Sequence, residues 1–208
     1  MDTQDFSPEA MTSGPSVDKN APSSSEIATF DLEAHACYWK GKRQRAVGTI
    51  LKAAARAFNP WAKDEITPEA RARMDRGSTV HETLELFDKG NLGGFDPALQ
   101  GYMDAWALAK RELKIEKFDA IEEPKFSATH GYWGILDRLS AGCVYELKTG
   151  DAKPSSYRVQ TAAYCTLWGV DRGIVVYVNA DGTYATEKVT QEDFAAWGMA
   201  LSLAKRGY

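Results

Sequence analysis

Two acids and a lysine fall where a short hairpin would bring them to one point. Ala141-Gly142 separates two runs of alternating character, Tyr132 to Leu139 and Cys143 to Lys148. With those two residues as the loop, Ser140 pairs with Cys143, Leu139 with Val144, Arg138 with Tyr145 and Asp137 with Glu146. The two carboxylates then stand on one face with β-carbons roughly 5 Å apart, where like charges repel unless a cation lies between them. Lys148, two residues beyond Glu146, projects from that same face. Such a set suits Mg2+ or Mn2+ held by oxygen ligands, beside a group that orients or helps deprotonate a water. The same residues also read as an exposed hairpin on which Lys148 neutralises Glu146, and a register slipped by one residue sends one acid to the other face.

Elements on both sides must hold that hairpin. Residues 1–28 are rich in Ser, Pro, Asp and Thr without periodicity, which predicts a disordered tail before one domain over 29–208. Tyr38 to Lys42 reads as a strand and turn, and Thr49 to Phe58 as a helix ending before Asn59-Pro60. Thr67-Pro68 opens a helix through Arg76, and a second helix after Gly77-Ser78 carries Val80, Leu84 and Phe87 to Gly90. Another spans Pro97 to Leu113. At Phe118 the period drops to about two, and strands at Ile121 to Ala128, Tyr132 to Leu139 and Cys143 to Lys148 precede a helix from Ser155 to Trp168. Strands at Ile174 to Asn179 and Tyr184 to Val189 and a helix from Gln191 to Ala204 close the chain. The order predicts a mixed α/β class: a central mixed sheet of about five strands flanked by helices, after an N-terminal helical segment.

The string Gly134-Ile135-Leu136-Asp137, then Glu146-Leu147-Lys148-Thr149-Gly150, then Gln160-Thr161-Ala162-Ala163-Tyr164 resembles the D, E-x-K and Q-x-x-x-Y elements of the PD-(D/E)xK nuclease superfamily. Within it, the RecB-like and phage-type exonuclease branch also carries a G-x-x-x-H element, matched by Gly77 to His81. E-x-K alone is too short to mean much, but four elements in the family's order, over about residues 38–190, are far more specific. The resemblance implies a restriction-endonuclease-like core and a Mg2+- or Mn2+-dependent deoxyribonuclease. It further implies that Asp137, Glu146, His81 and the backbone carbonyl of Leu147 hold the metal, with Lys148 beside the attacking water. Gln160 and Tyr164, four apart on one helix face, would touch DNA or hold the hairpin, although Tyr164 also reads as core packing beside Trp168. Glu123 resembles an acid that precedes the motif in this branch. Glu85 shares the helical face of His81, as a further contact to the metal centre or as an ordinary surface pair.

The net charge of −4 conceals an asymmetry. Residues 1–33 carry −6, residues 34–63 hold seven bases and no acid, and the remainder carries −5. Lys40, Lys42, Arg43 and Arg45, interleaved with Tyr38 and Trp39 and followed by Lys52, Arg56, Phe58, Trp61 and Lys63, suit phosphate contact and stacking, or else form a solvated basic face. Three cysteines, Cys37, Cys143 and Cys165, without a C-x-x-C pair, argue against a disulfide framework and an iron-sulfur cluster. No apolar stretch approaches the roughly 18 residues of a membrane span, and no apolar leader follows Met1, so a cytoplasmic enzyme is expected. DNA is the implied partner, with a single-strand annealing or recombination protein as a second, in phage or bacterial recombination or repair. A site-specific or structure-specific endonuclease and a catalytically silent binding module are the alternatives.

Overall fold

The computed structural model describes residues 27–59, 66–150 and 152–206; most of the expected tail, residues 1–26, lies outside them, as do Trp61 and Lys63. Three short strands, β1 (Thr29–Asp31), β2 (Ala36–Trp39) and β3 (Lys42–Arg43), form a small antiparallel sheet. The main sheet comprises β4 (Arg45–Ala46), β5 (Ala120–Ser127), β6 (Tyr132–Ser140), β7 (Cys143–Thr149), β8 (Arg172–Val178) and β9 (Tyr184–Lys188). Its order is β4-β6-β7-β8-β9, with β5 also paired to β6. It is therefore six-stranded rather than five-stranded. β4 escaped the sequence reading because two residues carry no period.

The hairpin turn has the expected geometry. Ala141 and Gly142 have φ of 47° and 70°, the pair of left-handed residues that a two-residue turn matched to strand twist requires. Arg138 pairs with Tyr145, Leu139 with Val144 and Ser140 with Cys143, and there the ladder stops. On the same edge of β6, Tyr132 and Trp133 pair with β4 instead, while β5 runs along the whole opposite edge. Gly134 to Asp137 therefore lie in a fork, where β6 has left β7 and has only just left β4.

The helices cover the two faces of the sheet. α1 (Val47–Phe58), α4 (Ser155–Trp168) and α5 (Gln191–Lys205) enclose a core with Tyr132, Leu136, Val144, Tyr164 and Trp197. α2 (Pro68–Asp88) and α3 (Gln100–Glu112, entered through a three-ten turn at Pro97–Leu99) pack Val80, Leu84, Tyr102 and Trp106 against Tyr145, Leu147, Val176 and Val178. Alternation along β7 thus assigns Glu146 to the face of Val144. Parallel pairing of β7 with β8 requires a crossover, which α4 supplies.

The two helices expected on either side of Gly77-Ser78 are one continuous helix of 21 residues. An interior glycine costs only about 1 kcal/mol, and Thr79 and Ser78 return their hydroxyls to the carbonyls of Asp75 and Met74 without breaking the ladder. A β-carbon on Gly77 would stand 3.3 Å from Thr149 Oγ1, so the missing side chain lets α2 cross close over the end of β7. Gly134 has a similar role at the fork, since a β-carbon there would meet Tyr164 Cε1 at 2.6 Å. Gly134→Ala is expected to lose about 1–3 kcal/mol in urea unfolding. Adding Tyr164→Leu should restore part of that loss, and strict additivity of the two changes would contradict the contact.

Candidate metal centre

α2 delivers His81 to the fork. Its start is set by Thr67, whose hydroxyl accepts from Ala70 N at 3.2 Å, and by Pro68 in the first turn. One turn beyond Gly77, His81 Nδ1 lies 3.6 Å from Asp137 Oδ1, too far for a hydrogen bond. Asp137 is held from the other side, because Leu147 N donates to its Oδ2 at 2.7 Å. That bond replaces the next rung of the β6–β7 ladder. It also leaves Oδ1 as the oxygen turned to His81.

Across β6, Glu122 stands opposite Asp137, between the pairs Ile121–Arg138 and Glu123–Leu136. Its φ of 47° is strained for a non-glycine residue, by about 1–3 kcal/mol. Leu136 and Leu139 both pack on the α1, α4 and α5 face although strict alternation separates residues three apart, so both strands skip a beat here. The outcome is a triplet: His81, Glu122 and Asp137 offer ligand atoms that all lie within 4.8 Å of one another. Glu146 stands outside this triplet. It is only 1% exposed, its Oε1 accepts from Lys148 Nζ at 2.7 Å, and its Oε2 has no hydrogen-bond partner among the described residues.

The electrostatics are those of a crowded acid site. Burial, reinforced by the charge of Asp137, pushes Glu122 up to about 8, against the partial relief of Arg138. The same two causes push Glu146 up to about 8, with Lys148 as the opposing cation. Burial pulls Lys148 down, but the carboxylates of Glu146 and Asp137 outweigh it and hold the side chain as an ammonium. Tyr164 is driven well above 10 by burial and by Glu146. Oxygen-rich ligands with one imidazole suit a hard or borderline divalent ion, and such a charge offsets both the burial and the repulsion that raise these acids.

The other expected residues are distributed unevenly. Glu123 is exposed and does not join the triplet; its neighbour Glu122 does, because the slip in alternation exchanges which acid turns inward. A strictly alternating reading cannot detect that exchange, and only the adjacent acid pair hinted at it. Glu85 lines the cleft and pairs with Lys89 at 2.5 Å. Gln160 Nε2 donates to Tyr164 Oη at 3.0 Å, so these two side chains engage each other at the floor of the fork. The open cleft above, of about 1000 Å³, lies between α2 and the segment from Lys148 to Tyr157. Lys40, Lys42, Arg43 and Arg45 do not line it, whereas Arg73 and Arg76 do. Arg45 donates to the Ala204 carbonyl at the end of α5, and Trp39 packs on Phe126 at 5.4 Å between ring centres.

The raised acids make stability depend on pH. In metal-free protein Glu122 and Glu146 bind protons more tightly than in the unfolded chain, at about 8 against 4.5. Their contribution is therefore full below about pH 4.5 and is lost as the pH rises through about 8. The Tm of chelator-treated protein should fall between about pH 5.5 and about pH 8.5, and fall less in Glu146→Gln. Added Mn2+ should recover more at the upper pH; a metal-independent Tm at both values contradicts this.

No family model matches the chain, and no curated protein matches it. Solved structures do. A protein of Eubacterium rectale provisionally named an exonuclease superposes with a TM-score of 0.50 at 13% identity, covering 73% of this chain and 70% of its own. A phage-related exonuclease of Haemophilus somnus gives 0.43 at 12% identity over 78% and 92% of the two chains. An alkaline exonuclease of Laribacter hongkongensis gives 0.41 at 14% identity over 74% and 85%. At 13% identity and a TM-score of 0.50, the first of these likenesses is one of fold alone. The chain shares the fold of that provisionally named exonuclease, a mixed sheet flanked by helices, in agreement with the PD-(D/E)xK phage-type resemblance of its motifs.

Proposed function

We propose that this chain is a divalent-metal-dependent deoxyribonuclease, acting as an exonuclease on linear DNA in recombination or repair. The observation that carries the reading is the convergence of His81 from α2, Glu122 from β5 and Asp137 from β6 within 4.8 Å, beside Lys148 and at the floor of an open cleft. His81, Asp137 and Lys148 come in the chain order of the nuclease motifs that the sequence resembles. The exonuclease assignment rests on that resemblance, with support from the shared fold.

Mg2+ or Mn2+ fits the donor set. Asp137, His81 and Glu122 would hold it, with Oε2 of Glu146, which has no hydrogen-bond partner among the described residues, and the carbonyl of Leu147 offered from β7. Once bound, such an ion supplies Lewis acidity and neutralises charge on a phosphate. The remaining work belongs to the chain. Lys148, anchored on Glu146, presents a protonated amine and so donates hydrogen bonds to phosphate oxygen or to a water rather than accepting a proton. Gln160 and Tyr164 brace the fork from α4. Arg73 and Arg76 on the α2 wall offer positive charge to the phosphates beside the scissile one.

Asp137→Ala and Lys148→Ala are each expected to lower the cleavage rate by about 10²-fold or more with an unchanged circular dichroism spectrum. Wild-type rates from Asp137→Ala, purified free of host nucleases, would overturn the reading. Linear duplex should be degraded from its ends with Mg2+ while covalently closed circles persist; opened circles would identify an endonuclease. Replacing Arg73 and Arg76 together by Gln should weaken DNA binding and flatten the salt dependence by about 1.8 in the log-log slope. A larger effect from Lys42 and Arg43 would move the DNA path to the small sheet.

A further inference from the structure

Behind the triplet lies a second charged layer closed to solvent. Arg138 follows Asp137 on β6, and its side chain is 0% exposed. Its Nε donates to Asp88 Oδ2 at 2.8 Å, and its Nη1 donates to Glu122 Oε1 at 3.0 Å and to the Asp137 carbonyl at 2.7 Å. Asp88, at the last turn of α2, is equally closed to solvent and accepts from Trp106 Nε1 at 2.9 Å and from Lys110 Nζ at 2.6 Å. Hydrogen bonds thus run without a break from α3 through Asp88 and Arg138 to Glu122.

Stability alone does not account for this arrangement. A buried ion pair is often no more stable than apolar residues of the same volume, and Arg138 Nη2 is left without a partner among the described residues. The planar fork of a guanidinium does fix the distance between two carboxylates. Here one carboxylate is Glu122, in a strained backbone conformation opposite another acid, where it would otherwise turn toward water. The other is Asp88, seven residues beyond His81 and so on the same side of the same helix. One guanidinium therefore ties together all three elements that carry the triplet: α2, β5 and β6.

We propose that Arg138, anchored by Asp88, is a positioning residue that assembles the metal centre before the ion arrives, by holding Glu122 and α2 against β6. The inference rests on the metal-binding reading above. Its test is Mn2+ titration of the full chain by calorimetry, without DNA. Arg138→Lys keeps a buried cation but cannot span both carboxylates, and Asp88→Asn keeps the shape but weakens the anchor. Each should raise the Mn2+ Kd by about 10–100-fold. On a Glu122→Ala background, Arg138→Lys should add less than it does alone. Variants that melt earlier yet bind Mn2+ like the wild type, or effects that add fully with Glu122→Ala, overturn the proposal and leave the metal reading intact. Absence of Mn2+ binding by the wild-type chain overturns the metal reading, and this proposal with it. Amide exchange on the metal-free wild type covers variants that fail to fold. Slow exchange at 120–123 and 84–88 without metal supports assembly in advance, and protection that arises only with Mn2+ overturns it.

Discussion

Three carboxylates, Glu122, Asp137 and Glu146, crowd the place where β6 parts from β7, and burial, reinforced by the charge of Asp137, pushes the other two to about 8. At separations below 4.8 Å, as between ligand atoms of Glu122 and Asp137, two full charges repel by about 3 kcal/mol or more even at an effective dielectric near 20. A fold does not keep such a cluster without compensation. His81, Lys148 and Arg138 each meet one member of it, and Lys148 and Arg138 are cations held inside the molecule rather than at its rim. Much of the architecture around the fork follows from keeping these groups at fixed distances.

The fork itself results from a choice of partners. β6 cannot keep β7 beyond Arg138, because Leu147 N is taken by the Asp137 carboxylate, and beyond the gap the edge passes to β4. Two glycines make the close approaches that the gap needs: Gly134 admits the ring of Tyr164 from α4, and Gly77 admits α2 over Thr149. One face of the fork is thereby sealed by an aromatic ring with its polar end turned to Gln160, while the other opens into the cleft. Among the described residues, no helix is long and apolar enough to cross a membrane.

Charge is divided between surfaces in a way that the average conceals. The basic run after Ala34 is used partly for building: Arg45 binds the carbonyl end of α5, a favourable place for a cation, and Lys40 lies over the ring of Trp39 at 4.6 Å. Trp39 in turn packs on Phe126. The cleft draws its positive charge from Lys148 and from Arg73 and Arg76 instead, the last two on a helix whose other cleft residues include Glu82 and Glu85. Along α2 the cleft thus passes from cations at Arg73 and Arg76 to acids at Glu82 and Glu85.

Sequence alone determined the elements with strong local signals. α4 begins and ends at the expected residues, Ser155 and Trp168, and the turn at Ala141-Gly142 assigns three β6–β7 pairs correctly, whereas the expected pair of Asp137 with Glu146 lies beyond the end of the ladder. Those elements rest on the periods of helix and strand and on turn chemistry, which are local. Only the tertiary structure decided the rest. That Gly77 lies inside one helix depends on what crosses it, and β4 exists only because β6 offers it an edge. The exchange of Glu123 for Glu122 is the most consequential case. An alternating pattern assumes that every residue advances by one face, whereas a left-handed residue opposite a buried acid breaks that count through contacts made far along the chain. For the same reason nothing in the sequence distinguishes Arg138, a strand residue beside an acid. Its meaning depends on Asp88, fifty residues earlier, and on a guanidinium shut away from water.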